Sequence, residues 1–237
     1  MDQDWAGRIA ENIERVQVRI RGACDRAGRD PGSVTLIGVT KTFPVEAVEA
    51  ARRAGLADFG ENKVQELVSK AGVVRGRVEG GGVCWHMIGH LQRNKAKEVV
   101  RCADLFHGLD SLRLAEELDR RAEQAGRVMP CLVQVNVSGE RTKSGVAPGD
   151  ALALLRQAAA LPHVRLRGLM AIAEPAEDPE AVRPQFRLLR NMFEAYRAES
   201  GAEWDSLSMG MSDDFEVAIE EGATLVRIGS AIFGSRG

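Results

Sequence analysis

Hydrophobic and polar positions alternate along the chain in two periods. Residues 4–28 place Ile9, Ile13, Val16 and Ile20 three or four apart, the spacing of a helix with one apolar face. Asp30-Pro31-Gly32 then marks a turn. Beyond it, short apolar runs predict strands over 34–40, 57–60, 83–88, 105–109, 131–137, 165–172, 206–209 and 225–228. The stretches between them predict helices over 44–54, 62–74, 91–101, 111–126, 149–160, 179–200 and 212–221. A last apolar run, 231–233, follows the eighth strand.

Eight strands alternating with helices point to βαβ units and a parallel sheet. The expected fold is α/β, a (β/α)8 TIM barrel with an extra N-terminal helix. An open doubly wound sheet is the alternative, and it should carry a glycine-rich phosphate turn after the first strand. The turn there is Thr40-Lys41-Thr42-Phe43-Pro44, without such glycines, which favours the barrel. The segment GRVEGGG, 76–82, reads as a mobile linker between the second helix and the third strand. No tandem repeat or domain boundary interrupts the pattern, so residues 1–237 are expected to form a single domain.

Composition narrows the classes. The chain is 44% hydrophobic and 28% charged, enough for one large core, and its net charge of −2 suggests neither a nucleic-acid groove nor a basic membrane face. Cys24, Cys84, Cys102 and Cys131 are scattered, which argues for reduced thiols and against a disulfide framework or zinc knuckle. The acidic, amphipathic N-terminus is no signal peptide, and no stretch approaches the roughly 18 apolar residues of a membrane span. A soluble, cytoplasmic protein is expected.

Polar and small residues gather where the strands end, which is where barrels place their chemistry. In chain order these are Lys41, the run Gly60-Glu61-Asn62, His86 with His90, Asp110, Asn136, Met170, the run Ser208 to Ser212, and Arg227 with Gly229-Ser230. SMGMSDD and RIGSA together suggest a phosphate cradle, because amides at a helix start bind anions and glycine permits close approach. Ser212 as a plain N-cap is the competing reading. Asp213 and Asp214 would repel a phosphate unless their side chains turn away.

Lys41, opposite such a cradle, could form a Schiff base with a phosphorylated carbonyl compound, and pyridoxal 5'-phosphate fits that description. A solvated strand-end lysine is the bland reading. Arg227 shares a strand face with Leu225 and Gly229; it is either one half of a structural salt bridge or a cation facing the cofactor's ring nitrogen, where it would weaken the electron sink. His86 and His90 have metal-pair spacing only on a helix, and they fall on a strand and its exit, so no metal is expected there. RTKSG, 141–145, is a pocket lid or a solvated loop.

The segments VTKTFP, FGENKVQE, WHMIGHLQRNK, VNVSGERTKSG, LRGLMAIAE, LSMGMSDDFEVAI and VRIGSAIFG, in this order, resemble the pyridoxal phosphate homeostasis protein family. Its fold is like the N-terminal barrel of alanine racemase. The resemblance implies that Lys41 carries pyridoxal 5'-phosphate as an internal aldimine. It implies that Ser212, Gly229, Ser230 and the backbone near Met211 hold the phosphate, and that Arg227 faces the pyridine nitrogen. Asn62 and His86 would line the ring or its phenolic oxygen, Met170 and Asn136 would complete the wall, and Ser208 joins the cofactor-binding set. Two departures, Lys63 after GEN and His90 where some relatives carry proline, affect the rim.

A racemase needs a second proton-transfer group opposite the lysine. In alanine racemases a tyrosine from a C-terminal β-domain supplies it. Here the sequence ends at Gly237 just past the eighth strand, and Tyr196, the single tyrosine, is expected outside the barrel. The favoured function is therefore a non-catalytic monomer that binds pyridoxal 5'-phosphate, buffers the intracellular vitamin B6 pool and contacts apo-enzymes transiently. The alternatives are a pyridoxal-phosphate-dependent amino-acid racemase or lyase using His86 or water, and a cofactor-free Schiff-base aldolase.

Overall fold

The computed structural model describes residues 4–77, 82–140, 143–200 and 204–234. Eight parallel strands close into a barrel in chain order: β1 (Thr35–Val39), β2 (Asp58–Glu61), β3 (Cys84–Met87), β4 (Leu105–Leu109), β5 (Met129–Gln134), β6 (Val164–Met170), β7 (Ser206–Ser208) and β8 (Leu225–Ile228). β8 returns to β1 with Ile37 opposite Arg227, which seals the cylinder. The helices are α1 (Asp4–Arg26), α2 (Val45–Arg53), α3 (Val64–Arg77), α4 (Ala96–Cys102), α5 (Leu112–Gln124), α6 (Pro148–Ala159), α7 (Arg183–Ser200), α8 (Phe215–Glu220) and α9 (Ser230–Phe233). All eight expected strands and the extra N-terminal helix are present.

Alternation along the strands builds two cores. Phe59, Trp85 and Phe106 point outward and bury under the helices. A smaller apolar cluster of Ile37, Leu105, Leu132, Met170 and Leu225 fills the barrel interior. α1 lays Ile9, Ile13, Val16 and Ile20 onto the outer core, as its spacing predicts. Its polar side is tied to α8 by Arg19–Glu216 at 2.7 Å and Arg26–Glu220 at 2.7 Å, with Arg19 stacked over the Phe215 ring.

The differences lie at element ends. The helix expected over 91–101 begins as a 3-10 turn, Arg93–Lys95, and becomes α-helical only at Ala96. The helix expected from 179 likewise opens with a 3-10 turn at Pro179–Val182, where the Asp178 side chain accepts from the Glu180 amide. The helix expected from 212 starts at Phe215, after a turn in which the Asp214 side chain reaches back to accept from the Met211 amide at 2.6 Å. The short run after β8 forms α9. Of the suggested linker 76–82, residues 78–81 lie outside the described residues, as do 141 and 142 of the suggested lid.

Candidate functional site

At the C-terminal mouth of the barrel lies a cavity of about 820 Å³. Eight of the eleven residues expected to bind the cofactor line it: Lys41, Asn62, Asn136, Met211, Ser212, Arg227, Gly229 and Ser230. The other three, His86, Met170 and Ser208, are buried in the barrel interior and are not among the lining residues.

The position of Lys41 is set by a polar cluster beneath α3. The Lys70 ammonium donates to the Thr40 carbonyl at 2.7 Å and pairs with Glu61 at 2.7 Å and Glu66 at 3.2 Å. Thr40 Oγ1 donates to the same Glu61 oxygen at 2.6 Å. On the other side of Lys41, the Thr42 amide donates to Glu66 at 2.7 Å. Thr42 sits at φ 69°, a left-handed conformation that a β-branched residue adopts only under constraint. The backbone is thus gripped immediately before and after Lys41. Burial pushes the Glu61 carboxyl above its ordinary range, against the opposing pull of Lys70 and Thr40. Burial also acts upward on Glu66, but the Thr42 amide and Lys70 outweigh it and hold that carboxyl below its ordinary range.

Beside Lys41, where β8 pairs with β1, the exits of β7 and β8 meet. Gly210 has φ 93°, and a Cβ there would lie 2.6 Å from the Ala218 Cβ, so the turn requires glycine. The Ala231 amide donates to Ser212 Oγ at 3.4 Å, joining the two exits. Asp214 is directed to the Met211 amide, while Asp213 is exposed on the cavity wall. The expected repulsion of a phosphate is therefore relieved for one of the two acids. Asn136 spends its side chain on its own loop, donating to the Glu140 and Lys143 carbonyls at 2.8 and 3.3 Å. That brings Lys143 and Ser144, from the described part 143–145 of the suggested lid, to the cavity.

Arg227 forms the floor. Its guanidinium donates to Ser208 Oγ at 2.5 Å and to the Ala171 carbonyl at 2.9 Å. Burial pushes its pKa down to about 10, against the attraction of Asp214, which leaves it cationic at neutral pH. It is thus hydrogen-bonded through the core, and is not one half of a close salt bridge among the described residues.

Below Ser208 the hydrogen bonds continue through the barrel. Ser208 Oγ lies 2.9 Å from His107 Nδ1, His107 Nε2 lies 2.9 Å from His86 Nδ1, and His86 Nε2 lies 3.0 Å from Asp58 Oδ1. Arginine donates and a carboxylate accepts, so with one proton on each ring and His86 Nε2 donating to Asp58 the network runs from Arg227 to Asp58. Burial drives the His107 pKa well below its ordinary value, with His86 and Arg227 adding to the effect, so the ring is neutral. His90 is apart from this chain, on the cavity wall 3.6 Å from Asp110.

The sequence reading missed Lys70, Glu66 and His107. The spacing of Lys70 on α3 offered a signal, since it falls three residues after buried Leu67. His107 offered none beyond a polar residue inside an apolar strand.

A model of the alanine racemase N-terminal domain family matches residues 7–237. A Pseudomonas aeruginosa protein named pyridoxal phosphate homeostasis protein is 45% identical over 228 residues, which cover 96% of each chain. The structure of PipY from Synechococcus elongatus with PLP bound matches with a TM-score of 0.82 and 34% identity, over 95% of this chain and 100% of PipY. Alanine racemase from Clostridium difficile matches with a TM-score of 0.75 at 14% identity, over 97% of this chain and 57% of the racemase, a likeness of fold.

Proposed function

The chain belongs to the pyridoxal phosphate homeostasis protein family, and we propose that it binds pyridoxal 5'-phosphate at the C-terminal mouth of its barrel through a covalent link to Lys41. One observation carries this reading: Lys41 opens into the same cavity as Ser212, Gly229 and Ser230, with the Arg227 guanidinium as its floor. The donor set fits the ligand. Two hydroxyls and a glycine-flanked helix start suit a phosphate, and a clamped lysine suits an aldehyde.

Bound there, the cofactor would supply an electrophilic aldehyde. Lys41 would hold that aldehyde, and the Thr40 and Thr42 anchors fix the backbone from which the lysine enters the cavity. Ser212 and Ser230 would hold the phosphate. Arg227, held by Ser208 and Ala171, would set positive charge near the ring and disfavour protonation of its nitrogen, which would suppress carbanion chemistry. Asn62 and Asn136 order the rim.

The protein's role on this reading is to hold and release the cofactor in vitamin B6 homeostasis. Tyr196 supports it: the side chain packs edge-on against Trp204, 6.3 Å between ring centroids, on the outer helix α7 and away from the cavity lining. We further propose that residues 1–237 act as one cofactor-binding domain, that the protein works as a cytoplasmic monomer, and that it meets apo-enzymes transiently. No helix among the described residues is long and apolar enough to cross a membrane. The test is transfer: an apo-enzyme acceptor should gain activity from the loaded protein faster than spontaneous release supplies free cofactor. Equal rates would remove direct delivery and leave buffering.

A further inference from the structure

The amino-terminal mouth of the barrel, opposite Lys41, holds a second cluster, of which only His86 was expected at the cofactor. Asp58 and Cys84 are the first residues of β2 and β3 and stand opposite one another, and Asp58 also stands opposite inward-facing Ile37. Their side chains therefore share the barrel interior with His86, two residues further along β3. The ligand atoms of Asp58, Cys84 and His86 all lie within 4.8 Å of one another. His86 is buried, and the other two are partly open to solvent.

We propose that Asp58, Cys84 and His86 form a binding site for a divalent transition metal of the zinc class. A carboxylate, a thiolate and an imidazole are a donor set that borderline-soft cations accept, and three protein ligands leave a fourth position for water. The surroundings support the assignment. A ligating histidine needs its distal nitrogen fixed by a hydrogen bond, and His86 Nδ1 already faces His107 Nε2 at 2.9 Å, with Ser208 behind it. Asp104 adds negative charge beside the thiol, and the opposing cation, Arg167, is hydrogen-bonded to Asp205.

Protons balance in this binding. The metal displaces the Cys84 thiol proton to solvent, one per ion. The His86 proton moves from Nε2 to Nδ1, where His107 Nε2 accepts it, and His107 in turn donates from Nδ1 to Ser208 Oγ. Both rings keep their mutual hydrogen bond with the histidine tautomers reversed, and Ser208 Oγ then accepts from both Arg227 and His107. The ion ties β2 to β3 at the mouth farthest from the cofactor.

The test uses the full-length reduced protein and Co2+ as a spectroscopic probe. One equivalent should produce a thiolate-to-cobalt charge-transfer band that Zn2+ abolishes by competition. Cys84→Ala should lose the band, and Asp58→Asn should weaken binding by at least about tenfold. Circular dichroism, unaffected by these substitutions, shows that the variants are folded, and Cys84→Ala, which lies outside the Arg227-to-Asp58 chain, should load Lys41 with cofactor as the wild type does. The absence of the band in the wild type, or its survival in Cys84→Ala, overturns the assignment, and neither result bears on the cofactor site.

Discussion

The Lys70 ammonium lies 2.7 Å from the carbonyl oxygen of Thr40, the residue just before Lys41. One buried cation thereby fixes the strand exit from which Lys41 departs, and its partner Glu66 fixes the residue just after.

Removing that cation should destabilise the fold. Lys70→Met leaves Glu61 buried and uncompensated, a loss of about 3–5 kcal/mol. Combining it with Glu61→Leu should recover a large part of the loss, since a well-packed apolar pair replaces a buried ion pair at little cost. Urea denaturation of the two variants measures both. Equal destabilisation of single and double variants would show that the Thr40 contact, not the charge balance, carries the effect.

The β7 exit should tolerate no side chain at Gly210. Gly210→Ala meets both the left-handed φ and the Ala218 contact, at a cost of about 1–3 kcal/mol. The disturbance falls on Met211 and Ser212, so affinity for pyridoxal 5'-phosphate should drop more than affinity for pyridoxal. Parallel titrations with the two compounds read the difference, and equal losses would contradict a phosphate cradle at this turn.

Acid stability should depend on an ion network between α7 and α8. Arg183 holds the Glu220 carboxyl below its ordinary range, and Arg187 with Arg183 does the same for Glu221. Carboxyls depressed in the folded state stabilise it above their unfolded pKa of about 4.3. That contribution is lost as pH falls through the lower, folded values. The denaturation midpoint should therefore decline below about pH 4.3, and less steeply in Arg183→Met. An unchanged slope in that variant would place the acid sensitivity elsewhere.

Arg227 should keep the loaded protein catalytically quiet. In deuterated water, amino acids incubated with it should exchange their Cα hydrogen no faster than with free pyridoxal 5'-phosphate. Faster exchange of any amino acid would favour a racemase or lyase.

The barrel was legible because each strand is a short apolar run closed by turn residues, and parallel strands buried on both faces leave that signature. The lining residues were legible for a related reason: a lysine or arginine ending such a run has no packing explanation. Lys70, Glu66 and His107 were not, because a buried polar residue is recognised by its partners, and those come from other elements. Glu61 stood in the sequence beside Asn62, yet nothing local told which of the two faces the cavity. The pleat turns Asn62 to the rim and Glu61 outward beneath α3. His86 was placed at the cofactor by resemblance, whereas the strand register sets it deeper, between Asp58 and His107.

The central claim rests on Lys41. Protein loaded with pyridoxal 5'-phosphate, reduced with borohydride and digested should yield one cofactor-bearing peptide, modified at Lys41, and Lys41→Ala should show neither the visible band nor that adduct. A wild-type protein that stays colourless, or an adduct confined to another lysine, would contradict the account.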